Sequence, residues 1–220
     1  MSIEDIFVEK GRKRARLEEF LMENLKGAGY GGADVRRTPT GTRITLYVER
    51  PGVAIGRSGR AIHDLTDELA DKLGIENPQI EVSEIDTPEF NASVMAERVA
   101  FLLSRGIYFR RAGYSTLRRI MDAGARGAEI VISGKLTGNY AREERFYDGY
   151  LKKAGERASR LVSTGHAVAK LPVGTIGVKV RIMPPGISIL DESGILKEEL
   201  EEAVEESDEE IEEKSKEIRR

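Results

Sequence analysis

Residues 50–62 run Arg50-Pro51-Gly52-Val53-Ala54-Ile55-Gly56-Arg57-Ser58-Gly59-Arg60-Ala61-Ile62. Two glycines, Gly56 and Gly59, are separated by two residues, and an apolar pattern of helical spacing follows them. Because glycine has no Cβ, the backbone at such positions can approach a ligand closely and adopt a positive φ. The helix that follows directs free N–H groups and the positive end of its dipole at the same turn. The sequence therefore predicts an anion-binding turn between two helices.

Two other glycine-rich phosphate motifs fit this turn poorly. A dinucleotide-binding fingerprint requires glycine at the position of Ala54 and a strand that runs directly into the turn. A Walker loop ends in Gly-Lys-Ser or Gly-Lys-Thr, whereas Gly59 is followed by Arg60 and Ala61. Taken alone, Gly-x-x-Gly also fits a plain turn between helices. The candidate RNA contacts here are Gly56, Arg57, Ser58, Gly59 and Arg60.

The residues before the turn predict a helix and a β-hairpin. Residues 3–26 carry a helical apolar stripe at Leu17, Phe20, Leu21 and Leu25. Earlier in the helix the same stripe is basic, at Lys10, Lys13 and Arg14, which makes these three candidate RNA contacts. Residues 35–38 and 43–50 are the arms of a hairpin around Pro39-Thr40-Gly41. A hairpin followed by such a turn is typical of a KH domain, which grips about four nucleotides of single-stranded nucleic acid.

The residues after the turn predict further helices and then strands. A helix over 59–73 and a strand around Ile80 and Val82 complete the first unit. A second helix is predicted to begin at Thr87-Pro88-Glu89, and a third covers 108–122. Strands are predicted at 129–133, 161–169 and 173–183. The last strand turns Ile176, Val178, Val180 and Ile182 inward, and Lys179 and Arg181 outward as candidate RNA contacts.

The residues between the first two of these strands admit two interpretations. The loop Gly134–Gly138, with Lys135, Arg142 and Arg145, is a candidate phosphate contact, and a strand-to-helix turn is the alternative. Four aromatic residues follow, for which core packing is the expectation and base stacking the alternative. These are Tyr140, Phe146, Tyr147 and Tyr150.

The charge is distributed unevenly along the chain. Residues 191–220 carry 14 acids and 5 bases, a net charge of -9, which leaves 24 acids and 30 bases in residues 1–190. A basic body suits a polyanionic partner, whereas an acidic, low-complexity run is expected to be a flexible tail. We therefore predict a first domain over 1–86, a second over 87–190, and an acidic tail over 191–220.

Several function classes find no support in the residues. Without cysteine there are no disulfides, thiolate zinc sites or cysteine nucleophiles. The two histidines, His63 and His166, lack the spacing of metal ligands, and no catalytic constellation stands out. No apolar run approaches the roughly 18 residues of a membrane span, and the N-terminus has no signal pattern. We expect a cytoplasmic protein that is not an enzyme and has no cofactor, metal or membrane partner.

Three stretches resemble the family of small-subunit ribosomal protein number three, in its archaeal and eukaryotic form. The first runs from Thr38 through the glycine turn to Ile62 and looks like a type II KH domain. The second is Tyr108-Phe109-Arg110-Arg111-Ala112. The third and most specific comprises Gly127–Leu136, Ala141–Arg145 and Gly174–Val180. The resemblance covers about residues 1–185.

The resemblance implies both a fold and a function. The fold would be α+β, with a three-stranded KH sheet covered by helices and a second domain of helices on a mostly antiparallel sheet. The protein would bind ribosomal RNA in the head of the small subunit, beside proteins ten and fourteen. Basic residues would line the channel where messenger RNA enters, with Arg110 and Arg111 as the best match. The bacterial pattern has a lysine where Tyr114 stands, and Arg118 and Arg119 are candidate substitutes.

Two other classes of function fit the residues less well than the ribosomal one. A free-standing KH regulator would bind single-stranded RNA selectively, but it has no use for the Ser133-Gly134-Lys135 stretch of the second domain. An RNA- or DNA-processing enzyme would need an acid cluster for metal or a reactive base within the body, and neither stands out.

Overall fold

The structure, a computed structural model, contains two β-sheets, each with helices against it. It describes residues 3–38, 41–75 and 77–186, so the predicted acidic tail lies outside the described residues. In chain order the elements are α1 (Ile3–Asn24), β1 (Tyr30–Thr38), β2 (Gly41–Val48), α2 (Pro51–Ile55), α3 (Arg60–Leu73), β3 (Pro78–Glu84), α4 (Ala92–Ser104), α5 (Phe109–Asp122), β4 (Gly127–Gly134), β5 (Arg142–Gly149), α6 (Glu156–Leu161), β6 (Ser163–Leu171) and β7 (Gly174–Met183).

The first sheet has the strand order β1-β2-β3. Strands β1 and β2 are antiparallel, whereas β2 and β3 are parallel. A parallel pair needs a crossover connection, which α2 and α3 supply with the glycine turn between them. Alternate residues of β2, Ile44, Leu46 and Val48, are buried in the same apolar cluster as the stripe of α1, as their spacing predicts.

The second sheet is antiparallel throughout, with the strand order β5-β4-β7-β6. Helices α4 and α5 pack on one of its faces, and the core between them contains Ile130, Ile132, Val178, Val180 and Ile182. The predicted α+β class, with helices on a mostly antiparallel second sheet, is confirmed.

One predicted helix begins later than expected. Thr87 provides no side-chain cap, and Pro88–Phe90 form a single 3₁₀ turn. Helix α4 starts after Asn91, whose side-chain oxygen accepts hydrogen bonds from the amides of Ser93 (3.1 Å) and Val94 (3.4 Å). The predicted helix start at Thr87-Pro88-Glu89 is therefore wrong, because the carboxamide of Asn91, and not the hydroxyl of Thr87, satisfies the first-turn amides.

The residues after Gly134 also differ from expectation. They lead into strand β5, which pairs with β4, so the interpretation as a strand-to-helix turn is wrong. Only Phe146 of the four aromatic residues is buried, and Tyr140, Tyr147 and Tyr150 are 86%, 72% and 43% exposed. Strand β5 lies at the edge of the sheet, so one of its backbone edges is unpaired. Most of its side chains also face water, and it therefore needs few apolar residues. Core packing was therefore the wrong expectation for the three tyrosines.

Helix α4 joins the two sheets. Its N-cap Asn91 donates from Nδ2 to the carbonyl of Gly31 (2.9 Å), and Glu97 accepts from the amide of Gly27 (3.0 Å). On its other side the helix lies directly against β6. A Cβ at Gly165 would come within 2.2 Å of the carbonyl oxygen of Ala92. Contacts therefore cross the predicted domain boundary near residue 87, and that boundary stays a prediction.

Candidate nucleic-acid interface

The glycine turn between α2 and α3 adopts positive φ at three of its four positions. The angles are φ 73° and ψ −175° at Gly56, φ 57° and ψ 27° at Ser58, and φ 76° and ψ 6° at Gly59. The conformation of Gly56 is open essentially to glycine alone, whereas Ser58 lies in the left-handed helical region, which residues other than glycine adopt only occasionally. Both glycines of the turn therefore adopt the positive φ that the pattern predicts.

The two glycines differ in the space that surrounds them. A Cβ at Gly56 would lie 2.7 Å from the Cβ of Ala61 and 3.2 Å from its amide nitrogen. At Gly59 the nearest atom would be Cδ2 of His63, at 3.8 Å. Gly56 thus lets the turn pack closely on α3, while the space beside Gly59 is open.

The turn faces solvent. Arg57, Ser58 and Arg60 are exposed, and no side chain caps the N-terminus of α3. Val53 and Ile55 on α2 are also exposed, at 53% and 39%, and form an apolar border. A main-chain cradle with arginines and apolar surface beside it suits a nucleic-acid strand, whose phosphates and bases need both.

Helix α5 presents a second basic surface. Phe109, Leu117 and Ile120 are buried against the second sheet, so the opposite side of the helix faces water. The exposed residues of that side include Arg110, Arg111, Tyr114 and Arg118. Among the described residues Arg110, Arg111 and Arg118 make no ion pair, and guanidinium groups without a carboxylate partner suit phosphates.

Arg119 is engaged within the protein. Its Nε lies 3.0 Å from Oε1 of Glu89, which precedes α4. Burial alone would raise the pKa of Glu89, but a backbone hydrogen bond and the Arg119 guanidinium outweigh it and lower that pKa below its ordinary value of 4.5. Of the four arginines predicted on α5, Arg119 is therefore the least available to a ligand.

The first half of α1 is a third basic surface. Lys13 and Arg14 are exposed, and each pairs with a glutamate one turn away, Glu9 at 3.7 Å and Glu18 at 3.2 Å. The side chain of Lys10 lies outside the described part. Arg12 and Arg16 are exposed and make no ion pair within the described part of the chain. The sequence prediction followed the apolar stripe and so missed these two, although the run of bases at 12–16 was visible.

The remaining predicted contacts lie on the second sheet and its hairpin loop. Lys135 and Arg142 are exposed, and Lys179 is half-buried. Arg145 and Arg181 instead reach Glu129, a residue of β4 that is fully buried and that the sequence did not single out. A hydrogen bond to Glu143 and the charge of Glu129 raise the pKa of Arg145.

Apart from Lys10, whose side chain is not described, the structure distributes the predicted contacts over separate surfaces rather than one site. Within the ranges 3–38, 41–75 and 77–186, no cluster of three or more metal-ligating side chains occurs. In those same ranges no helix is long and apolar enough to cross a membrane.

Comparison with known proteins matches both halves of the chain. A family model described as KH domain matches residues 16–90, and one described as ribosomal protein S3, C-terminal domain, matches residues 99–182. Several similar proteins are named small ribosomal subunit protein uS3. That of Methanospirillum hungatei is 51% identical over 87% of this chain and 81% of its own length. The protein of Methanoregula boonei is 47% identical over 90% of this chain and 86% of its own length. The protein of Methanobrevibacter smithii is 48% identical over 90% of this chain and 80% of its own length.

Proposed function

Because the chain belongs to the family of the small ribosomal subunit protein uS3, we propose that its glycine turn and the outer arginines of α5 are its main contacts with RNA. The family makes the chain a structural, non-enzymatic constituent of the cytoplasmic small ribosomal subunit that binds ribosomal RNA. A free-standing KH regulator is not favoured, since residues 99–182 match a ribosomal domain.

The contact at the turn rests on one observation, the exposed and uncapped cradle formed by Gly56–Gly59. Arg57 and Arg60 add positive charge at its edge. In this proposal residues 1–86 form the RNA-binding unit, and 87–190 form a second domain that meets neighbouring components. Lys13, Arg14 and Lys10 on α1 extend the basic surface, as do Lys135 and Arg142 at the hairpin loop.

The ribosomal role predicts how the cellular protein sediments. In a sucrose gradient of cell extract we expect it in the small-subunit and whole-ribosome fractions. Digestion of the RNA before centrifugation should move it to the top of the gradient, because its partner is then lost. A protein found wholly at the top of an untreated gradient would contradict the assignment and would revive the regulator alternative.

We further propose that the chain lies in the head of the subunit beside proteins ten and fourteen, where messenger RNA enters. Arg110, Arg111 and Arg118 are exposed without ion pairs in the described part, so they are available to the phosphates of a passing strand. Tyr114 stands between them, 62% exposed, with its ring edge against Phe146 at a centroid distance of 5.0 Å. Arg118, one turn after Tyr114, is placed to supply the charge that a lysine would give.

Replacing Arg110 and Arg111 together by alanine is expected to slow translation through a stable messenger hairpin. We expect a loss of about threefold in rate, on the order of 0.7 kcal/mol, as is typical of exposed charge contacts. Subunit assembly should be unchanged, since both side chains point away from the core. The measurement is single-ribosome or bulk elongation on messengers with and without the hairpin, and Arg160→Ala on α6 is the matched control. Equal rates for the double variant and the parent would remove the two residues from this role.

A further inference from the structure

The second sheet has an outer face that α4 and α5 leave open. Along each strand the residues on this face alternate with the buried ones. The register between the strands places Val131 of β4 beside Arg145 of β5 and Lys179 of β7. Tyr147 on β5 and Val168 on β6 are 72% and 65% exposed. An antiparallel sheet commonly has one face in water, so exposure alone assigns nothing to this surface.

A buried carboxylate organises the basic residues of this face. Glu129 is fully buried and forms ion pairs with Arg181, with Lys153 at 3.2 Å, and with Arg145 at 3.6 Å. Arg145 also lies 2.9 Å from Glu143. A buried charge has to be paired, so Glu129 fixes the positions of three cationic side chains.

The cationic charge at this cluster exceeds the anionic charge. Arg145, Lys153 and Arg181 face Glu129 and Glu143, three cations against two carboxylates. Lys179 on β7 and Lys170 on β6 add two more cations to the same face. Neither β6 nor β7 contains an acidic residue. The side chains of Arg145 and Lys153 remain 52% and 55% exposed. The surplus is therefore both held in place and open to an anion from solvent.

Tyr147 adds a flat apolar surface beside these charges. Its ring is exposed, and Nζ of Lys153 lies 5.9 Å from the ring centroid. Proteins that bind single-stranded RNA on a sheet stack bases on exposed aromatic rings and place cations along the backbone. A protein partner with acidic side chains would use the cations but would leave the tyrosine ring without a matching planar group.

We propose that this outer face binds a strand of RNA, with phosphates at Arg145, Lys153 and Lys179 and a base stacked on Tyr147, and that Glu129 positions the cations. The partner follows from the proposed ribosomal role, but the surface is separate from the glycine turn. Glu129 and Lys153 act in this site although the residue pattern alone points to neither of them as a contact, whereas base stacking was already the alternative interpretation of Tyr147.

The chain contains no tryptophan, which makes Tyr147→Trp a unique fluorescent reporter. The probe is a 12-nucleotide single-stranded RNA of mixed sequence, added to the full chain that also carries Gly59→Asp to suppress the turn. We expect the RNA to quench the tryptophan, whereas heparin, a polyanion without bases, binds without quenching. Adding Lys153→Gln should weaken binding several-fold and lower the salt slope by about one. The exposed Arg160→Gln on α6 is the charge-matched control and should change neither quantity.

The two proposals fail in different ways in these experiments. Absence of quenching, or quenching that Lys153→Gln leaves unaltered, overturns the sheet surface and leaves the ribosomal role intact. If the ribosomal role is wrong, the sucrose gradient shows it instead, because the protein is then absent from the small-subunit fractions. To distinguish RNA from protein, a photoreactive benzoylphenylalanine replaces Tyr147 in assembled small subunits. Crosslinks to RNA support the inference, whereas crosslinks to protein alone, or none, defeat it.

Discussion

Replacing Gly59 by aspartate is expected to weaken RNA binding by about tenfold or more, roughly 1.4 kcal/mol, while the chain stays folded. The position has φ 76° and ψ 6°, which aspartate adopts more readily than most residues. A Cβ there meets nothing closer than His63 at 3.8 Å. The new carboxylate would face the phosphates that the cradle is proposed to hold, and like charges repel. The measurement is fluorescence anisotropy with a labelled single-stranded RNA at fixed salt.

Gly59→Asn is the matched control, because asparagine has the same shape and tolerates the same backbone without the charge. We expect Gly59→Asn to bind RNA nearly as the parent does, so the difference between the two variants isolates electrostatics. Gly56→Asp is not equivalent, since its Cβ would clash with Ala61 and its backbone conformation suits only glycine. Equal affinities of Gly59→Asp and Gly59→Asn would show that no phosphate lies at the turn.

Replacing Gly165 by alanine is expected to cost about 3 kcal/mol or more of the free energy of unfolding. The added Cβ would lie 2.2 Å from the carbonyl oxygen of Ala92 and 2.4 Å from the amide nitrogen of Ser93. Both are backbone atoms at the start of α4, so helix and strand would have to separate. For a chain of this size the midpoint of thermal unfolding should fall by about 6–12 °C, as followed by circular dichroism.

Gly11→Ala provides the opposite case within the same chain. Gly11 lies in α1, and an added Cβ meets nothing within 4 Å. Alanine there should stabilise the helix by about 0.5–1 kcal/mol.

If Gly165→Ala unfolded at the same temperature as the parent, the close packing of α4 on β6 would be refuted.

The elements with a regular apolar period could be predicted from the sequence. Strand β7 alternates apolar and basic residues, and both its bounds and its inward face were predicted closely. Strand β5 was missed because its charged residues Arg142–Arg145 show no strand pattern, and Phe146 alone contacts the core. Pairing with β4, rather than local preference, makes it a strand.

The candidate sites were predicted as far as they depend on local sequence. The glycine turn was identified from its own spacing, but the different requirements at Gly56 and Gly59 depend on Ala61 across the turn. Glu129 could not be identified, because its partners come from other strands, and Lys153 is 24 positions away. Arg145 and Arg181 likewise look like free surface cations until the register brings them to that carboxylate.

The bridging contacts of α4 bear on how the chain folds as it is synthesised. The amide of Gly27, the carbonyl of Gly31 and the carboxylate of Glu49 belong to the first-made part of the chain, but their partners are Glu97, Asn91 and Arg98. The nascent N-terminal sheet can acquire these bonds only after α4 has left the exit tunnel. The N-terminal sheet therefore completes its native packing late, after α4 has emerged from the ribosome. A chain released before that point would expose the sheet to chaperones and proteases without these contacts.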